Sequence, residues 1–171
     1  MSESIIVLDQ LRKVFGTTAA VDRVSMSIPA GEIFGFLGAN GAGKTTTMRM
    51  LFGLTRASDG KGSVNGRDIW RDRYAIRPKF GYVAQKFSLY PDLTAIENLR
   101  FFGGAYRVPK AGMEKRIAGL LQQTDLEGKE AARAGSLSGG MKQLLAVACA
   151  LIHEPLLLFL ECGKQCRLVL G

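Results

Sequence analysis

The 171-residue sequence predicts an α/β fold. Three observations carry that expectation. Strand-like runs stand at both ends, "IIVLDQLRKVF" and "VDRVSMSI" at the front and "LLLFLE" at the back. A helix-rich insert separates them. A glycine-rich loop, Gly38 to Thr45, joins an apolar run to a helical one. Hydrophobic residues make up 47% and charged ones 22%, which describes a globular chain with room for one core and somewhat short for two domains.

Taken in order, the two N-terminal runs alternate apolar with polar and read as strands. "PAGE" is a turn. "IFGFLG" is a short apolar run with glycine and reads as a buried strand. "KTTTMRMLFG", Lys44 to Gly53, reads as a helix closed by glycine. "GKGSVNGRDI" carries an Asn-Gly pair between strand-like residues, a hairpin signal. "FGYVAQ" is another short strand. In "LTAIENLRFF", Thr94 and Glu97 have the spacing of a capping box, in which hydroxyl and carboxylate each satisfy a free backbone donor. "MEKRIAGLLQQTDL" places Ile117, Leu120 and Leu121 on one helical face. In "SLSGGMKQLLAVACALIHEP", Ser138 can cap a helix running to about Ile152, and Pro155 marks its end. The buried strand that follows finishes in Glu161. The chain shows no internal repeat and no low-complexity segment.

Net charge is +8, but lysine and arginine are scattered without a dense block. Charge leaves open a polyanionic partner, an anionic membrane face or a phosphate-bearing ligand, and nucleic acid is not the expected partner. Three cysteines, Cys149, Cys162 and Cys166, suit a reducing compartment without a disulfide framework. Cys162 and Cys166 are spaced like two metal ligands. The single histidine, His153, stands across an apolar strand from them, so a four-ligand zinc site is not expected. The N-terminus lacks a secretory signal, and no apolar run reaches the roughly 18 residues that span a bilayer. A cytoplasmic location is the expectation.

"GANGAGKT" fits the phosphate-loop pattern of a glycine, four free positions, then Gly-Lys-Thr/Ser. Each residue type has a task. Gly38, Gly41 and Gly43 let the backbone curl so that successive N–H groups face phosphate oxygens, with Asn40 and Ala42 between them. The start of the following helix adds its positive end. Lys44 can reach the β- and γ-phosphates, the Thr45 hydroxyl can ligate Mg²⁺, and Thr46 continues the cradle. A chance match to such a pattern in a chain of ordinary glycine content is on the order of one in a hundred. ATP with Mg²⁺ is the expected ligand.

"LSGGM", Leu137 to Met141, is by itself a helix cap after a glycine turn. Together with the phosphate loop and the strand ending at Glu161 it resembles the nucleotide-binding domain of ABC transporters, from about Ile5 to Leu160. "YVAQKFSLYPDLTAIENLRFFG" is similar to the ATP-binding subunits of bacterial drug or polysaccharide export systems. The resemblance implies a P-loop NTPase core, an N-terminal antiparallel β subdomain and a helical subdomain at about residues 86–140. Residues 1–161 would be the ATP-binding domain and 162–171 a tail that does not match. It also implies roles. Phe15 would stack on adenine, although an ordinary core phenylalanine is the plain alternative. Gln85 would sense Mg²⁺ and the attacking water, and would begin the link to the helical side that touches a transmembrane permease subunit. Ser138, Gly139 and Gly140 would grip the γ-phosphate of ATP held by a second ATP-binding domain, arranged head to tail. Met141 replaces the glutamine common there. The chain would then sit on the inner face of the cell membrane through its permease.

The resemblance breaks at the end of the last strand. Glu161 falls at the position of the Mg²⁺-supporting aspartate and keeps a carboxylate. Cys162 falls at the catalytic glutamate, and a thiol with a pKa near 8.5 is a poor base for this task. No histidine follows to contact the γ-phosphate, and "CGKQCRLVLG" matches nothing expected. The expectation is a truncated or frame-shifted ATPase subunit, or a natural variant, with impaired hydrolysis and with later core strands missing, which would leave apolar strand edges uncovered. Two alternatives stand beside the export ATPase: a non-catalytic nucleotide-binding module, and a soluble ABC-type ATPase acting on nucleic acid.

Overall fold

A computed structural model describes residues 4–39, 41–84, 89–162 and 165–170, with side chains described as far as residue 161. Two four-stranded sheets and a helical layer make up these residues. The first sheet has the order β2-β1-β4-β5, all antiparallel. Strands β1 (Ser4–Phe15) and β2 (Thr18–Pro29) form a long hairpin, and β4 (Asp59–Val64) and β5 (Arg67–Asp68) form a short one. The short hairpin turns at Asn65 and Gly66, both at positive φ (48° and 71°), the backbone that makes Asn-Gly the favoured pair for such a turn.

The second sheet has the order β3-β8-β7-β6. Strands β3 (Ile33–Leu37), β6 (Phe80–Val83) and β7 (Leu157–Cys162) run in one direction, and β8 (Gln165–Leu170) runs against its neighbours β3 and β7. The carboxyl ends of β3, β6 and β7 therefore lie together, which is where open α/β sheets hold their ligands. The expectation of uncovered edges is corrected only in part, since β3 and β6 still stand at the two ends of the sheet. The tail forms β8, which pairs with both β3 and β7 and satisfies their facing backbone groups. A second correction concerns β3. Phe34 and Phe36 pack toward the core, but Ile33 is 72% and Leu37 70% exposed. Alternation sends every second residue of a strand to the opposite face, and that face of β3 is uncovered among the described residues.

The sheet lies between helices. Leu157 and Phe159 of β7 join the cluster that holds Met48, Met50 and Leu51 of α1 (Lys44–Leu51). Leu158, between them, packs with Ala150 of α5 (Gly139–Leu151) and Val83 of β6. Phe159 anchors an edge-to-face group with Phe52 at 4.6 Å and Phe80 at 5.5 Å. A four-residue turn of helix, α2 (Arg73–Ile76), precedes β6.

The helical layer has its own apolar cluster. Leu99 of α3 (Ala95–Ala105), Ile117 and Leu121 of α4 (Met113–Gln123) and Leu145, Ala148 and Ile152 around α5 meet there, all buried. The capping box at α3 is present, with the Glu97 N–H donating to the Thr94 hydroxyl and the Thr94 N–H to the Glu97 carboxylate at 2.8 Å. Ser138 caps α5 by accepting the Met141 N–H at 3.3 Å. Among the described residues no helix is long and apolar enough to cross a membrane.

Candidate functional site

The phosphate loop emerges from β3 and enters α1. Gly41 and Gly43 take φ of 86° and 83°, a left-handed backbone that residues with a side chain adopt at a cost. At Gly43 the need is also spatial. A Cβ there would collide with the carbonyl oxygen of Ala20 and press on the Val21 side chain of β2. The loop thus seats directly on the β1–β2 hairpin. In that hairpin Val21 pairs with Lys13, and Thr18 with Phe15. Tertiary packing therefore brings the end of β1 that carries Phe15 up to the loop. Phe15 is 54% exposed, so its ring is not a core phenylalanine.

The Lys44 ammonium donates to the carbonyls of Gly38 at 2.6 Å and Ala39 at 2.7 Å, lying across the loop. The Thr47 hydroxyl donates to the Gly43 carbonyl at 3.0 Å, which pins the first turn of α1. Thr45 is exposed and Thr46 half-buried.

A cavity of roughly 400 Å³ follows one face of α1. Thr45, Met48, Arg49 and Phe52 line it at helical spacing, with Leu54 beyond the helix end. Phe80, Tyr82 and Glu161 come from the sheet, and Tyr106 from the end of α3. Arg77 closes it, donating to the carbonyls of Phe52 at 3.0 Å and Gly53 at 2.6 Å, the carbonyl end of α1. Thr45 and Glu161 thus share one cavity. The register explains how: Phe36 of β3 and Glu161 of β7 flank the same β8 residue, Cys166, which sets them two strand spacings apart, roughly 10 Å. Among the described residues that line it Glu161 is the sole carboxylate, and the Tyr82 hydroxyl donates to it at 2.6 Å. One hydroxyl and one carboxylate, both hard oxygen donors, are of the kind Mg²⁺ takes beside a polyphosphate.

Ser138, Gly139 and Gly140 lie exposed at the start of α5, and do not line this cavity. Gln85 and Asn40 are outside the described residues, as are the side chain of Cys162 and that of every residue after it. Sequence reasoning missed Tyr82, the partner of Glu161, and the Ala20–Val21 support under Gly43. Both arise from contacts distant in sequence, so no local pattern announces them. In the sequence His153 stands only as a lone histidine. Its Nε2 lies 3.0 Å from the Phe80 carbonyl, and its ring stacks on Tyr106 at 3.7 Å with a 4° interplanar angle. Among the described residues no cluster of histidine, cysteine and acids suits a metal ion.

Fold and loop define a class, a phosphate-loop NTPase domain with an antiparallel β layer and a helical layer attached. The family model described as ABC transporter matches residues 21–161, and the chain belongs to that family. It is 42% identical over 159 residues to the probable multidrug ABC transporter ATP-binding protein YbhF of Escherichia coli (strain K12), covering 93% of this chain and 28% of that protein. It is 42% identical over 160 residues to the Nod factor export ATP-binding protein I of Ralstonia nicotianae, covering 94% of this chain and 50% of that one. Among solved structures, cbiO1 of Clostridium perfringens, part of the ABC transporter complex cbiONQ, superposes with a TM-score of 0.83 at 25% identity, covering 93% of this chain and 65% of that one. The chain spans half or less of the length of these two curated relatives.

Proposed function

We propose that this chain is the ATP-binding unit of an export-type ABC transporter, and that as written it holds nucleotide more readily than it hydrolyses it. The observation that carries the reading is the phosphate loop: left-handed glycines seated on β2, a lysine laid across the loop carbonyls, and Thr45 sharing a cavity with Glu161. On binding ATP, Lys44 would exchange the carbonyls of Gly38 and Ala39 for phosphate oxygens. The amides of residues 41–46 would face the β-phosphate, and Phe15 would take the adenine. Thr45, with Glu161 behind it, would hold Mg²⁺, which supplies charge neutralisation at the β- and γ-phosphates when bound.

Slow hydrolysis rests on the lining of the cavity. The one carboxylate among its described residues, Glu161, already accepts a short hydrogen bond from Tyr82, and the next residue is a cysteine. The same observation favours the second reading, a nucleotide-binding module that does not turn over. Residues 1–161 form the ATP-binding domain and 162–171 the divergent tail. The exposed start of α5, Ser138 to Gly140, is offered to the nucleotide of a second domain head to tail. The permease meets the side where α3 and the end of α1 line the cavity, and it would keep the chain peripheral on the inner face of the membrane. Gln85 would link the two sides.

Titration calorimetry with magnesium–ATP tests the reading. Charge-assisted hydrogen bonds contribute about 1.5–3 kcal/mol, so Lys44→Ala should weaken binding about 10- to 150-fold. Wild-type protein that takes up no ATP at millimolar concentration would overturn it.

A further inference from the structure

We propose that Lys13 positions the Phe15 ring and decides which of its faces receives the base; this rests on the nucleotide reading above. Lys13 and Phe15 stand two residues apart on β1, so both side chains leave the same face of the strand. The Lys13 ammonium lies 5.0 Å from the centroid of the Phe15 ring, within cation–π range. It is not held by the ring alone. It donates to the Arg56 carbonyl at 2.8 Å, on the segment that leads into β4.

That segment is itself stitched to β1. The Ser58 N–H donates to the Arg12 carbonyl at 2.8 Å, and the Val14 N–H to the Ser58 hydroxyl at 3.1 Å. Residues 12, 13 and 14 are therefore each tied to residues 56–58. Phe15, just beyond, has more than half its surface exposed at the mouth of the hairpin turn. An exposed phenyl at such a place has rotamer freedom to lose when a base stacks on it. A tethered ammonium over one face removes part of that freedom beforehand. It also draws π density toward itself, which leaves the opposite face for an electron-rich purine. The same hairpin end supports the loop, since Lys13 pairs with Val21 and Val21 borders Gly43. The base platform and the phosphate cradle thus share one rigid element, with Lys13 at the junction.

The experiment compares magnesium–ATP with magnesium–inorganic triphosphate, which has no base. Any long-range loss of positive charge weakens both ligands, so the readout is the ratio of their affinities. In Lys13→Gln the ratio of ATP to triphosphate affinity should fall about threefold, from the strength of an exposed cation–π contact. Lys13→Arg, which keeps a cation over the ring, should preserve the ratio. In a Phe15→Leu background, Lys13→Gln should leave the ratio unchanged. An equal loss for both ligands, or a fall that persists without the ring, would overturn the proposal. Wild-type protein that binds neither ligand would remove the nucleotide reading along with it. Normal binding of both with an unmoved ratio would remove the role of Lys13 alone.

Discussion

Asn98 holds the entry to the helical layer, and its replacement should be costly. It is fully buried on α3. Its Oδ1 accepts the Tyr90 N–H at 3.0 Å, while Nδ2 serves the carbonyls of Tyr90 and Thr94 at 3.0 Å and Leu93 at 3.3 Å. In Asn98→Leu the shape is nearly kept and all of these bonds go. Their partners do not suffer equally. The Leu93 carbonyl keeps the Ala134 N–H at 2.8 Å, and the Thr94 carbonyl keeps the Asn98 backbone N–H at 3.0 Å. The Tyr90 carbonyl keeps the Leu93 N–H at 3.3 Å, a long bond. The Tyr90 N–H loses the acceptor described for it. An unpaired donor at a partly buried site costs about 1–3 kcal/mol, and the weakened carbonyl about 1 more. Leucine's apolar burial offsets about 1 kcal/mol. The expected loss is about 1–3 kcal/mol. With a urea m-value of about 2 kcal/mol/M, that moves the unfolding midpoint down by about 0.5–1.5 M. Asn98→Asp keeps the acceptor but sets a carboxylate among three carbonyls, so it should cost more. Urea unfolding followed by circular dichroism measures both. A loss below about 0.5 kcal/mol for leucine, or a milder effect for aspartate, would refute the idea that this carboxamide pins residues 90–94.

Two further outcomes are expected. Burial holds the His153 imidazole below its usual range, nearby Arg116 acts in the same direction, and the Phe80 carbonyl opposes them. The unfolded chain therefore takes up the proton first as pH falls. Stability is full above the ordinary histidine value of about 6.5 and declines below it toward the lower folded value. Unfolding midpoints at pH 7.5 and 5.5 should differ less in His153→Phe, which keeps a ring against Tyr106; an unchanged difference would remove His153 as the cause. Deleting residues 165–171 strips the shared neighbour from β3 and β7. Light scattering should report aggregation through the bared edges, and a truncated monomer as stable as the parent would show that β8 contributes nothing.

What the sequence determined by itself was chemistry carried within a few residues. The box from Thr94 to Glu97, the Ser138 cap, the turn at Asn65–Gly66 and the phosphate loop each close their own hydrogen bonds or set their own backbone angles, so adjacent residue types suffice to read them. Tertiary structure decided the rest. The apolar run at Ile33 to Leu37 reads as buried because periodicity alone does not say whether both faces of a strand find cover; among the described residues one face does not. The unmatched tail became a strand because two backbone edges, far apart in sequence, offered it partners. Tyr82 met Glu161, and Gly43 met Ala20, for the same reason. Such contacts exist only once the chain has closed loops of dozens of residues, and nothing in the local pattern encodes which closures win.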